Sequence, residues 1–281
     1  MNRYLTQRVG FALLILTALV VVVPILLVIG TIVVQGVSAI NWEFLTHMPR
    51  DGMKAGGILP AIVGTLLLTL GTAVAAIPVG VGGAIYLAEY ARDTWLTRAI
   101  RLAIINLAGI PSVVYGLFGL GLFVLFLQFG TSILAGSLTL ALMTLPIVIS
   151  AAEEALRAVP VEFRTVSASL GGTRWQGIRH IVLPQALPGI VTGVILGLLR
   201  AAGETAPILF TVAAFFLPRL PQSLFDQTMA LPYHLYVIST QVPGMPLDIQ
   251  YGTALVLLAL VLSMSLVATI IRNYFRRRRQ W

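Results

Sequence analysis

The chain has 281 residues, a mean hydropathy of +0.96 and only 10% charged residues, a composition too apolar for a soluble domain of this length and one that places it in a membrane. It contains no cysteine, which excludes disulfides and thiolate metal sites, and His47, His180 and His234 lie too far apart in sequence for a ligand cluster, so no metal is expected. The net charge of +8 does not describe a nucleic-acid surface: Arg276 to Arg279 follow directly on an apolar helix, where basic residues hold a membrane end in the cytoplasm and meet anionic lipid, so no nucleic acid is expected as a partner.

Residues 9–34 form an uncharged run preceded by Arg3 and Arg8. A cleaved signal has an apolar core of roughly 7 to 15 residues, so this longer run reads as a retained first span. Residues 35–57 are polar enough for a loop, with Trp42 and Phe44 suited to an interfacial belt. Residues 58–87 form the second span; as one straight helix it would outrun a hydrocarbon core of about 30 Å, and Pro78 with Gly80, Gly82 and Gly83 marks the expected kink. Residues 89–101 are charged, and Asp93 is the expected N-cap of a short surface helix. The third span covers 102–129, with Pro111 and with glycines at 116, 119 and 121 that let another helix approach; the fourth covers 133–152, with Pro146. The fifth and sixth cover 189–217 and 252–271, and the prolines between them leave a loop with at most one short interfacial or re-entrant helix. The expectation is an all-α polytopic membrane protein with six transmembrane helices in a single domain, 1–281. Six spans put both termini on one side, which carries fourteen Lys and Arg against three (Arg50, Lys54 and Arg219) on the other. The positive-inside rule places both termini in the cytoplasm.

The polar interval 153–184 lies on the same side. Pro160 suits a first helical turn with Glu162 near its positive end, and Ser167, Ala168 and Ser169 make a thin face that another surface can approach. Gly171 and Gly172 end that helix in left-handed geometry, and Thr173 with Gln176 forms a capping box that starts a second helix, expected to stop before Pro184. Pattern alone also allows an amphipathic hairpin lying on the membrane surface. The stretch resembles the EAA loop of ABC importer permeases, in which a glycine, here Gly171, is followed ten residues later by an isoleucine, Ile181, and then by Leu183 and Pro184. It departs from the family where Thr165, Val166 and Ser167 replace Glu-Ala-Ala.

Arg200 and Glu204 fall within the fifth span. Facing lipid, each would cost several kcal/mol, and four residues apart they reach each other on one helix face. Gly189, Gly193, Gly197, Ala201 and Thr205 form a small-residue stripe at spacing four, a helix-packing face flanked by the charged pair, so both side chains are expected to point into the protein. Two readings stand: a planar cationic fork for a tetrahedral oxyanion, oriented by Glu204, or a structural ion pair joining helices.

Arg200, Gly203, Glu204, Thr205, Ala206 and Pro207 resemble the R-x-x-GETAP signature of the PstA-type permease family of phosphate ABC importers, as do residues 56–69, 88–91 and 107–120. The resemblance implies a type I ABC importer permease fold in the bacterial inner membrane, importing inorganic phosphate. The implied partners are a second, PstC-type permease, two PstB-type ATPases and a PstS-type phosphate-binding protein. It further implies that Arg200, Glu204 and Thr205 line the anion path and that Thr165, Ser167, Ala168, Ser169, Leu170, Gly171, Gly172 and Thr173 contact the ATPases. No cofactor is expected on this chain, ATP and magnesium being held by the ATPases. Independently, the one lysine, Lys54, has no P-loop around it, so the chain has no such route to ATP hydrolysis and is not expected to be an enzyme. Alternatives are the permease of a sulfate or molybdate importer, or a self-contained secondary transporter.

Overall fold

Peptide groups in a bilayer must pair within their own segment, which leaves the helix as the structure open to a long uncharged run. The computed structural model describes residues 3–169 and 171–277 and is accordingly helical. In chain order the helices are α1 (Arg3–Gly36), α2 (Trp42–Thr46), α3 (Leu59–Ile85), α4 (Trp95–Ala108), α5 (Ser112–Gly119) and α6 (Ile133–Arg157), then α7 (Val161–Ser169), α8 (Arg174–Gly177), α9 (Leu183–Gly203), α10 (Ala206–Thr211), α11 (Leu231–Thr240) and α12 (Leu247–Arg277). Wider π-type turns extend α3 to Tyr90 and α5 to Phe126, and another, Ile178–Val182, joins α8 to α9. A hairpin of β1 (Pro49–Arg50) and β2 (Ala55–Gly56) sits between α2 and α3.

Among the described residues, five helical stretches are long and apolar enough to cross a membrane: Gly10–Ala39, Leu59–Tyr90, Ile133–Arg157, Arg174–Gly203 and Leu247–Tyr274. A sixth exists only if α4 and α5 count as one span, bent by 102°. At the centre stands α6, packed most extensively on α3 and α9 and also on α4, α5 and α10. Small residues allow this. The stripe on α9 does face α6: a Cβ on Gly189 would lie 2.6 Å from Ala155 Cβ, Gly193 sits against Ala151, and Gly197 against Val148. On α3, a Cβ on Gly80 would lie 2.7 Å from Val148 Cγ1. Buried apolar residues gather in two clusters. One is built around Leu140, Ile208, Val212, Leu231 and Ile238; the other, around Ala152, Leu156, Val182 and Ile190, lies at the end that carries α7. Helix α12 packs Ile249, Val256, Leu257 and Leu260 against the first cluster, and α1 packs along α12.

Several expectations from the sequence are corrected. The stretch 102–129 is not one straight span: α4 already starts at Trp95 and the chain turns sharply at Gly109–Pro111, because proline disfavours helix at the residue before it and lacks the N–H that would continue the ladder. Tyr115 braces the bend by donating its hydroxyl to the Leu107 carbonyl at 2.9 Å. The cap of α4 is Thr94, whose hydroxyl accepts the Thr97 N–H at 3.3 Å, while Asp93 pairs instead with Arg98 at 2.8 Å. That guanidinium, bonded to Asp93 and attracting it, holds its carboxyl below the usual carboxylate range. Pro78 lies inside α3, so the kink expected there does not divide the span. The interval 153–184 is not all loop, since Glu153–Arg157 still belong to α6. The second hairpin helix does not stop before Pro184; the Leu183 N–H reaches back five residues to Ile178, and this wider turn accommodates the proline that follows. The helix of 189–217 ends at Gly203. Between Pro218 and Gln250 the structure forms one further helix, α11, pinned to α3 where the Leu231 N–H donates to Thr65 Oγ1 at 2.8 Å.

Candidate functional site

The end of α9 and the start of α10 make a break in the bundle. Helix α9 closes at Gly203, Glu204 is extended (φ −77°, ψ 137°), and α10 restarts with Pro207 in its first turn, where a missing N–H costs no bond. Helix α10 can lie against α5 because Gly116 leaves room: a Cβ there would stand 2.8 Å from Phe210 and 3.0 Å from the Ala206 carbonyl. Arg200 Nε donates to Glu204 Oε1 at 3.3 Å, so the two predicted side chains do meet, but across the helix end rather than along a continuous helix.

The expectation that both point inward holds for one of them. The Glu204 side chain is 17% exposed and Arg200 39%. Arg200 thus stands at the rim of this chain, and its two terminal nitrogens make no hydrogen bond to any described residue. A guanidinium held at Nε by a carboxylate presents its remaining edge as a planar two-donor fork, the geometry that grips one face of a tetrahedral oxyanion. Thr205, half-buried, joins the two helices; its carbonyl accepts the Leu209 N–H at 3.1 Å. Thr65 and Thr69 of α3 share a small gap with Glu204, Ala201 and Ile208, a neighbourhood that the sequence did not single out.

The hairpin of α7 and α8 is the second candidate. Gly171 adopts φ +73°, and the Gly172 N–H reaches the Ser167 carbonyl at 2.9 Å, the left-handed termination expected there. The capping box is present in full: Gln176 N–H to Thr173 Oγ1 at 3.3 Å and Thr173 N–H to Gln176 Oε1 at 2.7 Å. Of the predicted contact residues, Thr165, Ser169, Gly171 and Thr173 are exposed. Ser167 instead turns toward Gly172 and Gly177, either of which would meet its Oγ with a Cβ. Ala168 lies in α7. Leu170 lies outside the described residues. Beside the exposed residues stand Val161, Val166 and Trp175, each about half exposed or more, an apolar face on a polar hairpin.

The charged residues that hold this hairpin were not singled out from sequence. Where α3 ends in its wide turn, the last carbonyls have no N–H further along the helix. Arg101 donates to the Leu87 carbonyl at 2.9 Å and to Glu153 at 2.7 Å; Arg174 donates to the Glu89 carbonyl and lies 5.0 Å above the Tyr90 ring. The Glu89 side chain is 6% exposed and pairs with Arg164 at 2.8 Å. Arg164 also takes the carbonyls of Leu156 at 2.8 Å and Val159 at 2.5 Å, at the end of α6. The available signal was an acid, Glu89, just past the second span, and Arg164, one of four arginines (Arg157, Arg164, Arg174 and Arg179) in the interval 153–184.

Among the described residues no group of three or more His, Asp or Glu is placed to hold a metal ion. The sequence profile of the family described as "Binding-protein-dependent transport system inner membrane component" matches residues 80–281. The chain is 33% identical to the "Probable ABC transporter permease protein YqgI" of Bacillus subtilis (strain 168), over 95% of either chain. It is 34% identical to the "Phosphate transport system permease protein PstA 1" of Mycobacterium tuberculosis (strain ATCC 25618 / H37Rv), over 100% of this chain and 92% of that one. Among solved structures, a bacterial ABC transporter involved in the import of the acidic polysaccharide alginate contains a chain that superposes with a TM-score of 0.69 at 15% identity, covering 97% of this chain and 99% of that one. A chain of the inward-facing MetNI methionine ABC transporter superposes with a TM-score of 0.63 at 17% identity, over 76% and 94%. At such identities these structures speak for the fold alone.

Proposed function

Because the chain belongs to the family of binding-protein-dependent transport system inner membrane components, we propose that it is the PstA-type permease subunit of an ATP-driven importer of inorganic phosphate. Similarity to phosphate permeases extends over nearly the whole chain, including 36% identity over 92% of it with the PstA protein of Mycobacterium leprae (strain TN). It is a multi-pass inner-membrane protein. A type I permease works as one of a pair, with ATPases and a substrate-binding protein; here the second permease is PstC-type, the ATPases PstB-type and the binding protein PstS-type. The chain binds no nucleotide itself, ATP and magnesium belonging to the ATPases. The excess of Lys and Arg on one side supports cytoplasmic termini and a cytoplasmic α7–α8 hairpin.

The observation that carries the anion path is the half-paired Arg200 at the rim of the chain. Glu204 holds Nε and fixes the guanidinium plane; the free fork binds phosphate, and the same carboxylate lowers the net attraction so that the anion is released rather than trapped. Thr205, at the helix break, completes the lining. Thr165, Ser169, Gly171 and Thr173, with the apolar face of Val166 and Trp175, form the surface on which an ATPase docks. Ser167 and Gly172 belong to the same hairpin and shape that surface, and the family pattern assigns Ala168 and Leu170 to the same contact.

The test is phosphate-stimulated ATPase activity and ATP-dependent uptake in proteoliposomes carrying the assembled complex, wild type against Arg200→Ala. Loss of uptake with the complex intact is expected. Uptake that survives would make the Arg200–Glu204 pair structural and move the anion route to the partner permease.

A further inference from the structure

A cavity of about 300 Å3 lies under the α7–α8 hairpin, lined by Glu89, Arg164, Ser167, Thr173 and Arg174. The hairpin is therefore not seated on the ends of α3 and α6 by continuous apolar packing at this point. Polar contacts bridge the gap, and they converge on two residues. Arg164, on α7, spends its fork on the Glu89 carboxylate at the end of α3, with Nη2 to Oε1 at 2.8 Å and Nε to Oε1 at 3.2 Å, and on the carbonyls of Leu156 and Val159 at the end of α6. Glu89 gives its carboxylate to Arg164 and its carbonyl to Arg174 on α8.

The membrane helices beneath the hairpin are thus linked to it in two ways. Helix α8 runs into α9 through Ile178–Val182, so α9 follows any displacement of the hairpin through the backbone. Helix α6 follows it too, through residues 158–160, which join it to α7, and through its packing on α9, whereas α3 has no backbone connection to the hairpin and is tied to it by Glu89, which holds Arg164 and Arg174, beside the apolar packing of Phe163. Because α9 carries Arg200 at its end and Thr65 and Thr69 of α3 stand beside Glu204, moving α9 and α6 without α3 would shift the anion fork against that part of its surroundings.

We propose that Glu89 and Arg164 are positioning residues for energy coupling: their buried bridge passes displacement of the α7–α8 hairpin to α3, the helix with no backbone connection to it, so that ATP hydrolysis moves α3 together with α6 and α9. This rests on reading the exposed face of α7 as the ATPase contact. Neither residue belongs to that face, since Glu89 is buried and Arg164 is turned inward toward it.

The experiment compares wild type, Glu89→Gln and Arg164→Lys in the assembled complex in proteoliposomes, with inorganic phosphate and the binding protein. Three quantities are read: ATPase subunits retained per permease, ATP hydrolysed, and phosphate moved per ATP. Breaking a buried charged pair is a large perturbation, so Glu89→Gln should lower phosphate per ATP by about tenfold or more while the ATPase subunits stay bound and hydrolysis continues. Arg164→Lys keeps one charged contact to Glu89 and gives up the carbonyls, so its loss should be smaller. An unchanged phosphate-to-ATP ratio in both variants overturns the proposal, and so does loss of the ATPase subunits in step with activity, which would make the bridge a docking or folding element. Should Glu89→Gln fail to assemble, an unchanged ratio in Arg164→Lys is enough to overturn it. Failure of the functional reading is distinguishable because it appears in the wild-type complex, as hydrolysis that phosphate and its binding protein do not stimulate.

Discussion

The close contact of α9 with α6 can be tested at Gly189. A Cβ placed there would lie 2.6 Å from the Ala155 Cβ, whereas non-bonded carbons reach their optimum at roughly 3.5 to 4.0 Å. Neither methyl can rotate away, so Gly189→Ala must push the helices apart locally by roughly 1 Å, a strain of the kind that costs about 1–3 kcal/mol. Against this, alanine is the better helix former by about 1 kcal/mol, so the single substitution alone is ambiguous. The double-mutant cycle with Ala155→Gly removes that ambiguity, because propensity cancels and the clash does not. In the double variant the new methyl meets the residue-155 Cα at 3.5 Å, an ordinary contact. The double variant should therefore be more stable than the sum of the two single changes by about 1–3 kcal/mol. Unfolding in mixed micelles by titration with an anionic detergent, followed by tryptophan fluorescence, measures the four species. Additivity within about 0.5 kcal/mol would refute the packing described for α6 and α9.

His234 on α11 is 2% exposed and its Nδ1 has no hydrogen-bond partner among the described residues; burial takes its pKa down to about 4. The unfolded chain has the ordinary value of about 6.5 and so binds the proton more readily, which means that the contribution of His234 to stability is complete above that value and is lost as pH falls towards 4. Between pH 8 and pH 5 it should fall by about 2 kcal/mol, and this part of the slope should vanish in His234→Phe; equal slopes in the two proteins would overturn the assignment. Hydrogen phosphate can donate a hydrogen bond and sulfate cannot, so a carboxylate at Glu204 accepts from the first and repels the second. Glu204→Gln should lower the phosphate-to-sulfate flux ratio, measured without the binding protein, by roughly tenfold, as expected for a charge-assisted hydrogen bond; an unchanged ratio removes Glu204 from selection.

Whatever depends on neighbours along the chain was legible in the sequence. The uncharged runs specify helices because the bilayer admits little else, the Thr173–Gln176 box and Gly171 specify the turn of the hairpin, and the glycine stripe of α9 specifies a packing face. The pairing of Arg200 with Glu204 followed from their spacing, since either a helix or its last turn brings residues four apart together. Other features depended on partners far away in sequence. Pro78, Pro184 and Pro188 stand within helical stretches while Pro111 stands at a 102° bend, and composition does not tell these apart because the outcome depends on what packs around each freed backbone group. Arg200 was expected inside and stands at the rim, because the break at Glu204 and the direction of α10 are set by the space that Gly116 leaves on α5. The bridge from Glu89 to Arg164 spans 75 residues. An acid and a base, each ordinary beside its own neighbours, become a buried pair only when α3 and α6 end at the same level of the bundle, and that meeting is decided by long-range packing of small residues rather than by local pattern.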